Sequence, residues 1–357
     1  MLNKKNKIVL LFLIIGSAIF ISGCSISFKS NDSGGNDGGV YLSSDKGKRW
    51  QPAALVPTTS GRPGSIGNLN TSALNMDPSD SQAIYFGSVD NGLFYSYNYA
   101  KEWQKAEELG NATINDIAVD PSSKCIIYVA IGNKVYKSTD CNRSWSQVYY
   151  DTDVNLNINS IAIDHYNSIG VYIGTSRGEV IKSLDRGVSW KTVGRFDDKV
   201  KKVSISPHDS RLIFAATAQK GIFRSSDSGA TWVNLRDNLK DIKGALNFRS
   251  LILSAADSGL VILASNYGLL KSLDNGDSWE SIELITPEDN AIINSVVVSP
   301  KNSKEIYYVT NTTFYSSSDG GENWTTQKLP TTRAGWELLI NFDDTNVIYL
   351  GAKSIKN

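Results

Sequence analysis

The sequence predicts an all-β ring, a single propeller of seven four-stranded antiparallel blades, and three observations predict it. Near copies of a segment Ser-x-Asp-x-Gly-x-x-Trp recur seven times, starting at Ser43, Ser96, Ser138, Ser183, Ser225, Ser272 and Ser317. Successive starts lie 53, 42, 45, 42, 47 and 45 residues apart, a period that belongs to repeat architectures rather than to a single-core domain. Between the copies run β-branched, alternating segments with no sustained helical period.

The first residues stand outside this pattern. Lys4, Lys5 and Lys7 precede an apolar run over residues 8–21, too short for a comfortable membrane span and laid out like an export signal. Ile21-Ser22-Gly23-Cys24 resembles the lipobox of bacterial lipoproteins, which implies that Cys24 is lipid-modified and becomes the new N-terminus. The alternative is an ordinary signal or uncleaved anchor with an incidental cysteine. The expected division is therefore a signal peptide at 1–23, a Gly/Ser-rich flexible tether at 24–37 and the ring at 38–357. The protein is expected to be a monomer exported to the cell membrane or outer membrane, facing away from the cytoplasm.

The whole chain carries 36 basic and 36 acidic residues, and losing the signal removes three lysines, leaving a formal charge of −3. A near-neutral surface argues against nucleic acid as the main partner.

Each repeat reads as four strands. An alternating run such as INDIAVDP (114–121), INSIAIDH (158–165) or INSVVVSP (293–300) comes first, and a second apolar run such as IIYVAIG or LIFAAT follows. A third short strand enters the Ser-to-Trp segment and a fourth, more polar one leaves it. That segment is then a turn in which the Asp (Asp45, Asp140, Asp185, Asp227, Asp274, Asp319) accepts turn amides and the Gly takes a positive φ. The closing tryptophans, Trp50, Trp103, Trp145, Trp190, Trp232, Trp279 and Trp324, have the bulk to fill the wedge between blades. The second copy has Asn98 and Ala100 in place of Asp and Gly yet keeps Trp103, which marks the role as architectural.

The ends of the ring supply a check on the blade count. The first copy has its third and fourth strands but only the tether before them, and after the seventh the chain adds an inner pair, WELLINFDD and VIYLGAKS, without another copy. Docking the first pair on the last makes one composite blade and removes exposed edges. Cys125 and Cys141 flank a Gly132-Asn133 hairpin, so a cross-strand disulfide is expected, with two free thiols as the alternative.

The repeated turn resembles the Asp-box, or BNR repeat, found in sialidases, the sortilin ectodomain, xyloglucan-active hydrolases and photosystem II assembly factors. It covers nearly the whole chain from residue 38 and specifies fold far more than function. A sialidase would require an arginine triad and an Arg-Ile-Pro segment, but Arg62-Pro63 follows Gly61 and does not match. Xyloglucan-active hydrolases build their cleft between two propellers with a carboxylate on each, and one ring offers half of that. His165 and His208 fall in separate turns, so no metal site is expected, and neither a cofactor loop nor a Ser-His-Asp order is present.

The variable loops should share the face opposite the tryptophan turns. Candidate ligand residues there are Arg62, Asp90, Arg177, Lys220, Asp237, Lys240, Tyr267, Arg333 and Trp336. No catalytic residue stands out. The sequence alone favours a lipid-anchored binding or assembly scaffold for protein or glycan, sortilin-like in its repeats, over an enzyme; the alternatives are a glycoside hydrolase using loop carboxylates and a photosystem II assembly factor.

Overall fold

The computed structural model describes residues 37–287 and 292–355; Cys24, the segment 1–23 and residues 24–36 of the expected tether lie outside them. Seven four-stranded antiparallel sheets form the blades. Their innermost strands, for blades 1 to 7, are Thr71–Asp77, Asp116–Asp120, Ile158–Ile163, Val200–Ile205, Phe248–Leu253, Ser295–Ser299 and Ala334–Ile340. Each of these packs on the next and the seventh packs on the first, so the ring is closed. In blade 3, Ile158–Ile163, Val171–Thr175, Glu179–Ser183 and Lys191–Arg195 pair in chain order from the axis outward. The second strands are short apolar runs buried on both faces, such as Ile213–Thr217 and Val261–Ser265. The two helical turns among the described residues are 3-10 turns at Glu107–Leu109 and Arg236–Asn238.

The core is divided as the repeats are. Among the described residues seven apolar clusters are found, each between two neighbouring blades. Every cluster holds the tryptophan of one repeated turn, wedged against the preceding blade. The Nε1 of Trp103 donates to the Ala53 carbonyl at 2.8 Å, and those of Trp190, Trp232 and Trp324 donate to Val148, Val193 and Glu283 at 2.9 Å. The indole therefore contributes both apolar area and a directed bond between blades.

The turn before each tryptophan is a closed hydrogen-bond unit. In the copy at Ser183, the buried Ser183 Oγ donates to Asp185 Oδ1 at 2.7 Å and accepts the Gly187 amide at 2.8 Å. Asp185 Oδ1 in turn accepts the Ser189 amide at 2.8 Å. Arg186 and Gly187 sit at φ 58° and 92°, the left-handed region where glycine is least strained. Asn98 performs the same service in the degenerate copy, its Oδ1 accepting Ser96 Oγ at 2.8 Å and the Glu102 amide at 3.0 Å. These bonds hold the aspartates acidic: the side chain of Ser189 and its amide draw Asp185 down to about 2.

Blade 7 is composite. Its strands run Ala334–Ile340, Ile348–Lys353, Gly39–Ser43 and Gln51–Pro52 from the axis outward. Gly39 through Ser43 pair antiparallel with Ala352 back to Ile348. The sulfurs of Cys125 and Cys141 are in bonding contact, and the Cys141 amide donates to the Cys125 carbonyl at 3.3 Å.

Candidate functional site at the mouth of the axial channel

The start of each innermost strand decides what faces the axis, and here the repeat is broken in an informative way. In blades 2, 3 and 6 the strand begins with Asn followed by Asp or Ser. The amides of Asn115, Asn159 and Asn294 donate to the next blade at Ile158, Val200 and Gly335 over 3.0, 2.8 and 2.7 Å. The following residue stitches the same seam: Ser160 Oγ accepts the Val203 amide at 3.1 Å, Ser295 Oγ accepts Leu338 at 3.2 Å, and Asp116 Oδ2 accepts Ile161 at 2.8 Å. The structural requirement at these two positions is thus a small polar pair.

Blades 4, 5 and 7 depart from it, with Lys201-Lys202, Arg249-Ser250 and Trp336-Glu337. Lys201, Arg249 and Trp336 lie at register shifts, where a bulge redirects the side chain from the ladder. Their strands begin on the face of the second-to-third strand turns and inter-blade links, opposite the tryptophan turns. Together with Asp116, Asn159 and Ser295, the residues Lys201, Lys202, Arg249 and Glu337 line an axial cavity of about 400 Å³. That volume is within the range of small-molecule sites.

Three charges meet inside it. Lys202 Nζ lies 3.7 Å from Asp116 Oδ2; the Asp116 side chain is 13% exposed and that of Lys202 42%, with Lys202 lining the channel. Asp116 raises the Lys202 ammonium above its ordinary value despite its desolvation. Glu337 is pushed up to about 7, chiefly by desolvation, with Lys202 pulling it down and Asp116 pushing it up. Near neutrality the channel therefore presents Glu337 poised between its protonated and ionised forms, beside a carboxylate paired to a lysine. A carboxyl raised in this way next to an ion-paired carboxylate is the usual raw material of acid–base catalysis.

At the rim, Lys353 at the end of the second strand of blade 7 places Nζ 3.8 Å from the centre of the Trp336 ring. Burial lowers the Lys353 pKa, and the charge of Lys201 lowers it further.

The other residues singled out from the sequence are placed differently. Arg177 is clamped by Asp151 at 2.7 Å and Glu179 at 2.8 Å, and Arg333 donates to the Leu69 carbonyl and Asn70 Oδ1 at 3.0 Å, tying blade 7 to blade 1. Asp90 accepts Thr113 Oγ1 at 2.5 Å, Lys220 faces Asp197 at 3.9 Å, and Lys240 pairs with Asp237 at 3.0 Å. Tyr267 packs partly buried against the wedge between blades 4 and 5, and Arg62 is exposed between the short strands Leu55–Val56 and Gly64–Ser65. These seven arginine, lysine, aspartate and tyrosine positions besides Arg62 serve structure or local pairing; Trp336 alone of the set stands with the channel group, at the rim beside Lys353. The His165 ring lies tilted against that of Tyr166 with ring centres 4.8 Å apart, and His208 Nε2 meets the Ser254 carbonyl at 3.1 Å. Among the described residues no group of three or more His, Cys, Asp or Glu is placed to hold a metal ion.

Asp116, Lys201, Lys202, Arg249, Glu337 and Lys353 escape a reading that looks for catalytic residues in the longest loops. The available signal is the repeat itself: aligning the innermost strands shows where Asn-Ser gives way to charge.

No family model matches the chain. It is 26% identical over 340 aligned positions to xyloglucanase Xgh74A of Acetivibrio thermocellus, covering 80% of this chain and 37% of that protein. A xyloglucanase of a Paenibacillus species is 26% identical over 247 positions, covering 56% of this chain and 24% of its own length. Among solved structures, the GH74 enzyme of Niastella koreensis superposes with TM-score 0.66 at 17% identity, over 80% of this chain and 51% of that one. YCF48 from Cyanidioschyzon merolae superposes with TM-score 0.62 at 12% identity, over 84% of this chain and 98% of that one. The chain spans just over a third of the length of the first of these xyloglucanases, and the structural likenesses establish the fold alone. The curated relatives, all glycan hydrolases, overturn the expectation of a non-enzymatic scaffold: the seven-bladed ring is similar in sequence to glycoside hydrolases and shares its architecture with GH74 enzymes and YCF48.

Proposed function

We propose that this protein is a glycoside hydrolase in which Glu337 is the proton donor and Asp116, paired with Lys202, is the second carboxylate. The observation that carries the reading is the pair itself, one carboxyl raised to about 7 and one in an ion pair, facing the same axial cavity. Glycosidic cleavage needs one carboxylic acid to protonate the leaving oxygen and one carboxylate to act on the other side of the sugar. The similarity to xyloglucanases supports a glycan as substrate. A cavity enclosed by seven strands admits a chain end rather than the middle of a polymer, so the action is exo.

Sugar release from xyloglucan and other β-linked glycans, measured across pH, tests the reading. Turnover should fall as pH rises through 7 and vanish in Glu337→Gln while ligand affinity is retained. Full activity in Glu337→Gln would refute it.

Export and lipid anchoring through Cys24, with residues 24–37 as the tether of a ring at 38–357, complete the proposal and rest on the residues from Lys4 to Cys24. Metabolic labelling with palmitate should mark the native protein and not Cys24→Ala.

A further inference from the structure

We infer that the glycan bound at this mouth is acidic, carrying a uronic acid whose carboxylate is received by Lys201 and Arg249 beside the Trp336–Lys353 pair; this rests on the glycan-acting reading above. Three cations, Lys201, Arg249 and Lys353, converge on the rim. Among the described residues none of them is ion-paired, although most other basic residues of the ring's loop face discussed above are. Arg249 makes a single neutral contact, Nε to Asn266 Oδ1 at 2.8 Å, which leaves the far edge of its guanidinium directed away from that bond. Lys353 is partly buried over the Trp336 ring at 3.8 Å, and Lys201 is close enough to repel it.

Lys201 and Arg249 are exposed and Lys353 is half-buried, so their mutual repulsion is screened in part by solvent, and an anion that joins them removes the rest. Counting every titratable group that lines the cavity or its rim, Lys201, Lys202, Arg249 and Lys353 outnumber Asp116 and Glu337, so the site is net cationic even with both acids ionised. The acids sit deeper, on the second residue of their strand starts, and the unpaired cations sit outside them. A neutral polymer makes no use of that gradient. A uronate does: its carboxylate meets the guanidinium and ammonium groups at the rim, while the C–H face of its ring lies against the indole. The repeat reinforces the point, because Lys201, Arg249 and Trp336 occupy the positions where Asn115, Asn159 and Asn294 stitch the other blades. At these three places the seam bond of the asparagine gives way to a longer side chain at the mouth.

Calorimetric titration of the full chain with a galacturonate tetrasaccharide, its carboxyl-reduced neutral counterpart, a xyloglucan oligosaccharide and inorganic phosphate tests this directly. The acidic sugar should bind about tenfold or more tightly than its reduced form, weaken with added salt, and lose that preference in Lys201→Gln/Arg249→Gln with an unchanged melting temperature. Lys353→Met, which keeps the stem over Trp336, provides a second variant should the double one melt early. Equal affinity for the acidic and reduced sugars, a preference that survives both variants, phosphate binding as tightly as the sugar, or no binding by any ligand would overturn the inference. Preferential binding of the acidic sugar without turnover sinks the hydrolase reading alone. Cleavage of xyloglucan with no acidic preference sinks the inference alone.

Discussion

Asp116 Oδ2 receives the Ile161 amide at 2.8 Å and faces Lys202 Nζ at 3.7 Å, so one oxygen both stitches blades 2 and 3 and holds a cation from blade 4 across the channel. The pair acts on Glu337 with both signs. Lys202 lowers the Glu337 pKa and Asp116 raises it. Replacing Lys202 with Met should therefore move Glu337 upward from about 7, and Asp116→Asn should move it downward. Carboxyl carbon chemical shifts followed through a pH titration report both displacements, and a Glu337 midpoint indifferent to Lys202 would contradict the coupling.

Glu337 also makes folding depend on pH. Its native pKa of about 7 lies above the ordinary 4.5, so between those values the folded chain keeps a proton that the unfolded chain has released. Stability must fall as pH rises through this window, by about 3 kcal/mol for a shift of this size. Thermal melts at pH 5 and pH 8 should show the loss in the native protein and a smaller one in Glu337→Gln. Parallel behaviour of the two would remove Glu337 as the cause.

The aspartates of the repeated turns act in the opposite direction. Asp45, Asp140, Asp185, Asp227 and Asp274 are held at about 2 against an ordinary 3.8, so the unfolded chain takes up protons first. Their contribution is intact above pH 4 and is lost as pH falls toward 2. Acid unfolding should begin in that interval and shift downward in pH when several of these aspartates are replaced by Asn, the residue that position 98 already carries.

Within one turn the serine that precedes the aspartate matters more than the one four residues after it. Ser183 is 1% exposed and accepts the Gly187 amide, whereas Ser189 reaches Asp185 from the exposed side. Ser183→Ala strands a buried amide and should cost about 1–3 kcal/mol. Ser189→Ala should cost at most about 0.5 kcal/mol. Denaturant melts separate the two, and equal losses would mean that the turn is held elsewhere.

Cys125 and Cys141 close a loop with a sequence separation of 16, and Cys141 sits at φ 59° within the third turn. Oxidation pins that turn to the second strand of its blade. Reduction, or Ser at both positions, should lower stability by about 3 kcal/mol. Quantifying free thiols in the unfolded protein without reductant checks the premise.

How much of this was legible in the sequence follows from what a repeat averages. The tryptophan turns are required at every blade for the same physical reason, so seven copies announce the blades, and half a blade at each end of the ring announces how it shuts. The channel group is the reverse case, because Lys202, Arg249 and Glu337 are visible only as deviations and a search for common features passes over them. Loop residues were overvalued for a similar reason: Arg177 and Arg333 look available in a list of letters, but their partners Asp151, Glu179 and Asn70 are distant or inconspicuous in sequence. Trp336 was recognisable because it alone among eight tryptophans lies outside a turn.

The pairing of Gly39–Ser43 with Ile348–Lys353 joins segments separated by almost the entire ring. Blades 1 to 6 can each zip locally as the chain emerges, but the strand Gly39–Ser43 must wait, edge exposed, until residue 348 has followed. The last event in folding is therefore a long-range capture whose loop entropy no local contact repays in advance, and any delay in delivery of the last residues prolongs the interval in which that waiting edge is open to a foreign strand.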